Sequence, residues 1–529
     1  MTLYVWEPHL IYAENYTSLV YPDAAGKLVY IPDENGNIIP DFSYAGYMGG
    51  GVMLPYVPVK ETVWPVEGDC APLIQAAIDR VSALPPDPDG FCGAVLLKRG
   101  WYPLDAPLRI EAGGVVLRGE GQDATGTVLF GRGAITGKTT QELHFGANLV
   151  SIQGTGGREE KPPAARILDS YVPVGARRLR VENARRFRAG DKVIVRRHSN
   201  DEWFRLMGED NREWQATTMT KTATYDFDRM VTAVTGDTVT VDAPITVAVE
   251  ERFGGGEMVR YDDPGRIRQS GVENLRGESD FDRTVRRTDY GNFDRPDYQG
   301  EEYYADENHY WNFVHLDDVA DCWVRDVTAC HFAGSAVFIA QGSTRVTVRD
   351  CASNEPVSYC AGWRRYTFQI CGQLCLVQRC VSEKGRHTFV VGGFQTCGPN
   401  VFLDCEERQG YGNSEPHMSL VSGSLYDNVF TAITLRYAQS KPSRWMSVNG
   451  ILWNCEGMFL CQKPPVGQNY AFGQVGIHAM IFNKNLIDYG KEQGHIESWD
   501  RHVTPQSLYR AQLEERLGEG ALTNIGYGR

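Results

Sequence analysis

Apolar and polar positions alternate in short pieces along most of the chain, and turn-forming residues separate the pieces. Residues 93–121, GAVLLKRGWYPLDAPLRIEAGGVVLRGEG, are typical, because brief apolar runs alternate there with glycine-rich turns. Such a pattern predicts short β-strands at close spacing.

A helical period of apolar residues is convincing in two segments. Residues 70–84 begin after Asp69, a good capping residue, and one face carries Leu73, Ile74, Ala77, Ile78, Val81 and Leu84. Residues 504–518 begin with Thr504 as cap and Pro505 in the first turn, and one face carries Tyr509, Leu513 and Leu517. We expect the first helix to cap the N-terminal end of the fold. The second would cover an open end, where unpaired strands invite association.

A short pattern recurs from about residue 270 onward: an apolar residue, two further positions, then another small or apolar residue. The pairs are Val272/Leu275, Val324/Val327, Val348/Cys351, Val377/Cys380, Phe402/Cys405, Phe430/Ile433 and Leu452/Cys455. From Val324 onward the intervals are 24, 29, 25, 28 and 22 residues, and periods of 20–50 residues are typical of solenoids. Each interval holds several strand-like pieces and no clear helix, so the repeat predicts a parallel β-helix. Cys351, Cys380, Cys405 and Cys455 would stack as small buried hydrophobes in one interior row.

The same patterns divide the chain into five segments. They are an N-terminal β extension (1–65), a cap with the first coils (66–160), an inserted β unit (161–265), the main coils (266–465) and a C-terminal extension with a short helix (466–529). The predicted fold class is therefore all-β.

Composition excludes several classes of protein. The net charge of −14, from 53 basic and 67 acidic residues, argues against a nucleic-acid partner, because binding to duplexes rests on neutralising phosphates. No apolar run reaches membrane-spanning length, so we expect no membrane partner. The 13 cysteines include no CxxC pair, which disfavours a zinc ribbon or thioredoxin-like site. The N-terminus lacks a basic region followed by an apolar run, so we expect a cytoplasmic protein.

Several segments resemble a known superfamily. The helix GDCAPLIQAAIDRV, the following GAVLLKRGWYPL and the stacked VxVxxC coils resemble the pectate-lyase-like right-handed parallel β-helix superfamily over roughly residues 65–460. RRYTF, GRHTFVVGG, GPNVFLDC and SEPHMSLVSGSLYDNV resemble an uncharacterised bacterial subgroup of it. The resemblance implies a right-handed β-helix and action on carbohydrate, since the superfamily includes polysaccharide lyases, glycoside hydrolases, epimerases and phage tailspikes.

A second register follows from glycines that end another strand of each coil. Counting back six positions from Gly372, Gly393, Gly423 and Gly450 gives Tyr366, His387, His417 and Arg444. Counting back seven adds Arg365 and Arg386. If the register holds, these side chains line one strip of the solenoid, on coils about 4.8 Å apart.

This composition suits β-elimination on a uronic acid, which needs a base for the C5 proton and positive charge beside the carboxylate. We expect His387 or His417 as base and Tyr366 as acid. Lys384 is a further candidate for base or clamp. Arg365, Arg386 and Arg444 would bind the substrate carboxylate. Lyases of the resembling type commonly use calcium. The strip shows no acidic calcium cluster, so no cofactor is required by this interpretation, although calcium and a metal on the two histidines stay open.

Two other interpretations stay open. A glycoside hydrolase or transglycosidase would need a carboxylate pair. Glu415 and Asp404 are candidates that could also contact substrate. The second alternative is a non-catalytic glycan-binding or tailspike-like protein. Such a protein would form a trimer and would show no turnover. In every case the expected partner is a polysaccharide or oligosaccharide. Loops 190–230 and 279–311 would set specificity, and a homodimer or homotrimer is compatible with the sequence.

Overall fold

The computed structural model describes residues 15–208, 224–291, 300–417, 420–439, 444–480 and 487–528. Its helices are α1 Ala71–Ser82, α2 Thr140–Gly146, α3 Asp201–Leu206, α4 Leu508–Leu517 and α5 Glu519–Asn524, with 3-10 turns at Tyr47–Gly49, Ala184–Arg186 and Glu251–Phe253. In these ranges no helix is long and apolar enough to cross a membrane.

Strands make up most of the regular structure. Before the insertion they are β1 Val20–Pro22, β2 Leu28–Tyr30, β3 Val59–Val63, β4 Gly93–Leu97, β5 Gly100–Leu104, β6 Leu108–Ile110, β7 Val115–Arg118, β8 Thr127–Gly131 and β9 Asn148–Gln153. The insertion carries β10 Glu159–Arg166, β11 Tyr171–Val172, β12 Arg178–Arg180, β13 Lys192–His198, β14 Thr224–Thr235, β15 Thr238–Val241, β16 Val249–Glu250 and β17 Gly256–Asp262.

The remaining strands follow the insertion. They are β18 Ile267–Arg268, β19 Gly271–Ser279, β20 Arg286–Arg287, β21 Tyr303–Tyr304, β22 Asn312–Asp317, β23 Val319–Ala320, β24 Trp323–Cys330, β25 Val337–Ile339, β26 Thr347–Arg349, β27 Ala352–Asn354, β28 Phe368–Ile370, β29 Leu376–Gln378, β30 Val381–Glu383, β31 Phe389–Val391, β32 Asn400–Leu403, β33 Glu406–Arg408, β34 Val421–Ser422, β35 Ser424–Asp427, β36 Phe430–Leu435, β37 Ser447–Val448, β38 Ile451–Trp453, β39 Glu456–Cys461, β40 Tyr470–Phe472, β41 Val475–Ile477 and β42 His495–Glu497.

Three stacks of parallel strands form the sides of a right-handed parallel β-helix. The first stack is β4, β7, β19, β24, β26, β29, β32, β35, β38, β40 and β42. The second is β5, β8, β19, β24, β27, β30, β33, β36, β39 and β41, where β19 and β24 are long enough to serve both. The third is β6, β9, β22, β25, β28 and β31. The predicted fold class is confirmed.

The interior row of the first stack differs from the predicted one at a single coil. Strand pairing places Val95, Leu117, Val272, Val324, Val348, Val377, Phe402, Tyr426, Leu452 and Ala471 in one row. The predicted member Phe430 is wrong: it pairs with Glu406 in the second stack and is 52% exposed. With Tyr426 in its place, the intervals of 28 and 22 residues become 24 (426 − 402) and 26 (452 − 426), so the coils are more regular than the sequence pattern suggested.

The predicted cysteine row is confirmed. Cys351, Cys380, Cys405 and Cys455 occupy equivalent positions beside the second stack, with Val429 on the coil between the last two. All thirteen thiols are free and buried. Burial raises the pKa of the Cys380 thiol well above its ordinary value, so these cysteines behave as apolar core residues.

Helix α1 packs on the first coils through Ile74, Ile78 and Val81, which belong to the same core as the strands. Leu73 and Leu84, predicted on this face, are exposed instead. The backbone N–H of Ala71 bonds to Asp69 Oδ1 over 3.0 Å, so Asp69 stabilises the helix start.

Helix α4 lies on the flank of the solenoid. Its buried Tyr509 and Leu513 contact outward-facing side chains of the first stack, such as Leu425. The expectation that this segment covers an open end is therefore wrong. Ser507 rather than Thr504 caps the helix, and the predicted face residue Leu517 is exposed.

The chain between β9 and β18 forms an antiparallel sheet in the order β10-β17-β13-β14-β15-β12. Its apolar face joins one core with residues of the later coils, including Leu420 and Tyr437. Tyr225 donates a hydrogen bond to Leu420 O over 2.8 Å. The sheet thus packs beside the coils that carry the candidate site.

Candidate functional site

The third stack positions the site. Tyr366 lies two residues before β28, and His387 lies two residues before β31. On the next coil Pro416 pairs with Val391 at the end of β31, and His417 follows directly. Three side chains that are far apart in sequence therefore meet at one corner of the solenoid.

The predicted register between His387 and His417 is wrong. It aligns positions 30 residues apart (417 − 387), whereas the pairing of Val391 with Pro416 joins positions 25 apart (416 − 391). The reason is that Gly423, used for the count, follows β34, which pairs with β37 in a separate small sheet. The two imidazole rings meet nevertheless, with centroids 4.7 Å apart.

A chain of hydrogen bonds links Glu415, His417 and Tyr366. Glu415 Oε1 lies 2.9 Å from His417 Nδ1, and His417 Nε2 lies 3.2 Å from the Tyr366 hydroxyl. The other partners of the Tyr366 oxygen are N–H groups, from the Trp363 backbone at 3.1 Å and from Arg386 Nη1 at 3.4 Å. Since those groups only donate, the hydroxyl itself donates to His417 Nε2. The ring proton then resides on Nδ1, where Glu415 accepts it.

Glu415 is fully buried and its second oxygen is well satisfied. Oε2 accepts from Arg436 Nε at 2.8 Å, Asn413 Nδ2 at 2.6 Å and Thr434 Oγ1 at 2.7 Å. Burial raises the pKa of Glu415, but the Arg436 guanidinium and the two histidines outweigh it and hold the pKa well below its ordinary value. The carboxylate is therefore ionised, and its Oε1 faces the histidines while also accepting from Arg436 Nη2 over 3.2 Å.

His387 is enclosed by the cluster. Its Nδ1 lies 2.5 Å from Asn413 O, and its Nε2 lies 3.7 Å from Glu415 Oε1. Burial, together with the nearby Arg386 charge, lowers the pKa of His387 well below its ordinary value. The ring is neutral and holds its proton on Nδ1, because a carbonyl oxygen can only accept.

Exposure differs among the members of the cluster. The side chain of His417 is 16% exposed, whereas Tyr366, His387, Glu415 and Arg386 are buried. Burial also lowers the pKa of Arg386. A ligand can therefore approach most readily along His417, towards the Tyr366 hydroxyl behind it.

Arg365 and Lys384 lie outside this cluster. Arg365 is buried and donates to Ser358 O at 2.8 Å and Tyr304 O at 3.3 Å, with its guanidinium over the Tyr303 ring. Its guanidinium is therefore occupied by Ser358 O and by the chain at Tyr303–Tyr304, away from the histidine cluster. Lys384 forms an ion pair with Glu355 at 2.7 Å.

Arg444 and Asp404 are also elsewhere. Arg444 donates to the Tyr437 hydroxyl at 2.8 Å. The prediction placed it in the strip because the count started from Gly450, which belongs with β37 and not with the third stack. Asp404 lies in the turn after β32 and faces Tyr527 of the C-terminal extension. Among the predicted substrate-binding residues, only Arg386 and Glu415 join the cluster.

Sequence reasoning missed four contributors: Arg436, Asn413, Thr434 and Trp363. A signal existed in the sequence for one of them. Asn413 precedes Glu415 by two positions and so shares its side of the extended chain. Thr434 lies beside Glu415 because Ser414 pairs with Ile433 in the structure, and no sequence spacing indicated that pairing. The segments that were expected to set specificity, 190–230 and 279–311, lie partly outside the described residues.

Among the described residues, the cluster offers ligands for a metal ion but no pair of carboxylates. In the described ranges, one atom each of His387, Glu415 and His417 lies within 4.8 Å of the others, and no second carboxylate shares that group. Two imidazoles and one carboxylate suit a transition metal, whereas calcium takes 6–8 oxygen ligands. A hydrolytic carboxylate pair is not assembled in this group.

A large cavity of about 990 Å³ lies elsewhere, between the N-terminal extension, the inserted sheet and the last coils. Its lining includes Asp33, Glu250, Lys463 and Tyr470. No residue of the histidine cluster lines it, so this cavity and the clustered titratable groups are separate features.

Comparison with known proteins gave structural matches only: no protein-family model and no curated protein matches the sequence. The Gp54 tailspike of Acinetobacter baumannii bacteriophage AP22, solved with A. baumannii capsular saccharide, is 12% identical over 80% of this chain with a TM-score of 0.42; this chain spans 56% of the tailspike. Alginate lyase from Paenibacillus sp. str. FPU-7 is 8% identical with a TM-score of 0.32, over 84% of this chain and 99% of the lyase. The catalytic unit of a thermostable GH87 alpha-1,3-glucanase from Streptomyces thermodiastaticus is 10% identical with a TM-score of 0.35, over 86% of this chain and 72% of that unit.

Proposed function

We propose that this protein cleaves a polysaccharide or oligosaccharide by β-elimination at a uronic acid residue. The observation that carries the proposal is the hydrogen-bonded chain Glu415–His417–Tyr366, which reaches the surface at His417. A buried carboxylate that fixes the tautomer of a histidine, which in turn accepts a proton from a hydroxyl, is a general acid–base arrangement.

In the proposed step, Tyr366 meets the substrate. Its hydroxyl proton passes to His417 Nε2, and the imidazolium that forms is stabilised by Glu415. The phenolate oxygen takes the proton from C5 of the uronate. The C5–H electrons then form the C4=C5 double bond while the C4–O bond breaks. Tyr366 returns the proton it took to the leaving oxygen, and His417 returns the first proton to Tyr366, so the protein ends as it began.

Positive charge supports this step at two places. Arg386 Nη1 and the Trp363 N–H point at the Tyr366 oxygen, where they offset the negative charge that develops there. In the proposal the uronate carboxylate lies beside the Arg386 guanidinium, which would offset its charge. Arg436 has a different role, since it binds Glu415.

His387 is unsuited to act as base, because it is buried and its unprotonated nitrogen, Nε2, faces Glu415 Oε1 inside the cluster. Hydrolysis is less well supported than elimination, because Glu415 lacks a partner carboxylate in the described group around it. His417, and not His387, is therefore the proton partner of Tyr366 in the proposal.

A panel of uronate polysaccharides tests the proposal. The reaction is followed in two ways, by ultraviolet absorbance of the conjugated double bond and by release of reducing ends. Elimination gives both signals together. Reducing ends without absorbance would indicate hydrolysis instead. If neither absorbance nor reducing ends appear while the protein still binds a glycan column, the protein is a binding protein and the proposal is overturned.

A further inference from the structure

Three side chains in the cluster place ligand atoms around one point. His387 Nε2 lies 3.7 Å from Glu415 Oε1, and His417 Nδ1 lies 2.9 Å from the same oxygen. Ligands at metal bond lengths of about 2.0–2.2 Å stand roughly 3–3.5 Å from one another. All three atoms lie within 4.8 Å of one another, so a side-chain adjustment of about 1 Å brings them to ligand spacing around one ion.

The hydrogen bonds leave His387 Nε2 without a hydrogen to offer. Asn413 O takes the N–H at Nδ1, so in the neutral ring Nε2 carries a lone pair. Glu415 Oε1 is an acceptor as well. Two acceptors face one another in a buried site, and a cation between them would turn this repulsion into attraction.

The surroundings match those of metal ligands. Asn413 O orients His387 through the nitrogen that would not bind metal. Arg436, Asn413 and Thr434 hold Oε2 of Glu415, and Arg436 Nη2 also donates to Oε1 over 3.2 Å. Partners of this kind fix the orientation of metal-bound histidines and carboxylates. His417 supplies the exposed edge through which an ion can enter.

We propose that His387 Nε2, Glu415 Oε1 and His417 Nδ1 bind a divalent transition-metal ion of the zinc, cobalt or iron type. Two imidazole nitrogens and one carboxylate oxygen select such ions over calcium and magnesium, which take oxygen ligands. The site is distinct from the thiol row, because the cysteines lie in the core. The proposal does not rest on the proposed glycan chemistry.

Metal on His417 Nδ1 would change the link to Tyr366. The ring proton would then sit on Nε2, and His417 would donate to the Tyr366 oxygen instead of accepting from it. Loaded and metal-free protein would therefore differ in their proton chemistry. Turnover assays are accordingly run on both forms.

The test uses the full chain, freed of metal with a chelator, and Zn²⁺ as the probe. We expect one Zn²⁺ per chain by calorimetry. In Zn²⁺-soaked crystals we expect an anomalous scattering peak between His387 Nε2 and Glu415 Oε1. His387→Gln and His417→Gln should each weaken binding by at least about 100-fold, and Thr434→Val by about 10–100-fold. The matched control His315→Gln removes a buried histidine outside the cluster and should bind Zn²⁺ like the wild type.

The crystal measurement needs no variant, so a variant that fails to fold leaves the test intact. Stoichiometric binding with the peak at the cluster supports the site. A peak at cysteines only, or no binding by the wild type, would overturn it. Because none of these readouts measures turnover, Zn²⁺ binding at the cluster together with no activity of the metal-free protein on the polysaccharide panel would contradict the proposed reaction and leave the metal site standing.

Discussion

The Tyr366 hydroxyl and His417 Nε2 lie 3.2 Å apart, although 51 residues of chain separate them. The two donors on the Tyr366 oxygen force its proton toward the histidine, and Glu415 fixes the opposite side of the ring. One corner of the solenoid therefore holds a proton donor, the Tyr366 hydroxyl, next to a proton acceptor, the His417 imidazole.

Replacement of His417 tests the proton partner. We expect His417→Gln to lower turnover by a factor on the order of 10²–10⁴, since a positioned acid–base group contributes about that much. The rate of product absorbance on the active polysaccharide is the measurement. His315→Gln is the control, because His315 is buried against Phe338 outside the cluster. Equal rates for both variants would remove His417 from the mechanism.

The pair Arg436–Glu415 should show strong coupling. Arg436→Met leaves Glu415 ionised and buried without its main cation, and we expect a loss of about 3–5 kcal/mol in the free energy of unfolding. Urea unfolding measures it. Arg436→Met combined with Glu415→Gln should lose less than the sum of the single variants. If the loss in unfolding free energy of the double variant equals the sum of the two single losses, the pairing of Arg436 with Glu415 is contradicted.

Asp427 should make stability depend on pH. Burial raises the pKa of its carboxyl to about 7, although Ser507 and the Tyr509 N–H bond to it. A folded pKa above the unfolded value means that the folded state holds the proton more tightly. The stabilisation is complete below about pH 4 and is lost as pH rises through about 7.

Unfolding of Asp427→Asn by urea isolates this effect. Between about pH 5 and about pH 8, we expect the free energy of unfolding of the wild type to fall relative to that of Asp427→Asn. Asp282→Asn, a change at an exposed carboxyl with a lowered pKa, should follow the wild type over that range. Parallel curves for the wild type and Asp427→Asn would contradict the assignment.

Two phenylalanines that share one sequence pattern should behave differently. Phe402→Ala removes a buried ring from the interior row, and we expect a loss of about 3–5 kcal/mol in unfolding free energy. Phe430→Ala changes a ring that is half-exposed and should cost less than about 1 kcal/mol. Both are measured by urea unfolding. Similar losses in unfolding free energy for the two variants would indicate that Phe430 does lie in the interior row.

The fold was predictable because the solenoid repeats its contacts. Residues such as Val324, Val348 and Val377 pair in the order that their spacing indicates. The failure at Phe430 has a physical cause, since β35 and β36 are both apolar and lie a few residues apart. A spacing rule cannot tell which of the two supplies the interior residue of the first stack.

The site was predictable only in part. The register predicted between Tyr366 and His387 agrees with the pairing of Phe368 with Phe389. His417 was found by its residue type, although the register that joined it to His387 was wrong. Arg436 was missed because nothing in the sequence distinguishes a guanidinium that binds Glu415 from one that faces solvent. Arg365 shows the converse, since its buried bonds to backbone carbonyls depend on loops that no periodic pattern describes.

The central claim is that the Tyr366 oxygen exchanges the proton with the substrate. The most direct measurement compares the rate of double-bond formation by Tyr366→Phe and Tyr102→Phe. Each variant loses one buried hydroxyl that is bonded to the backbone. We expect Tyr366→Phe to lose turnover by a factor on the order of 10²–10⁴ while Tyr102→Phe keeps it. A Tyr366→Phe protein that forms the unsaturated product at the wild-type rate would contradict the account.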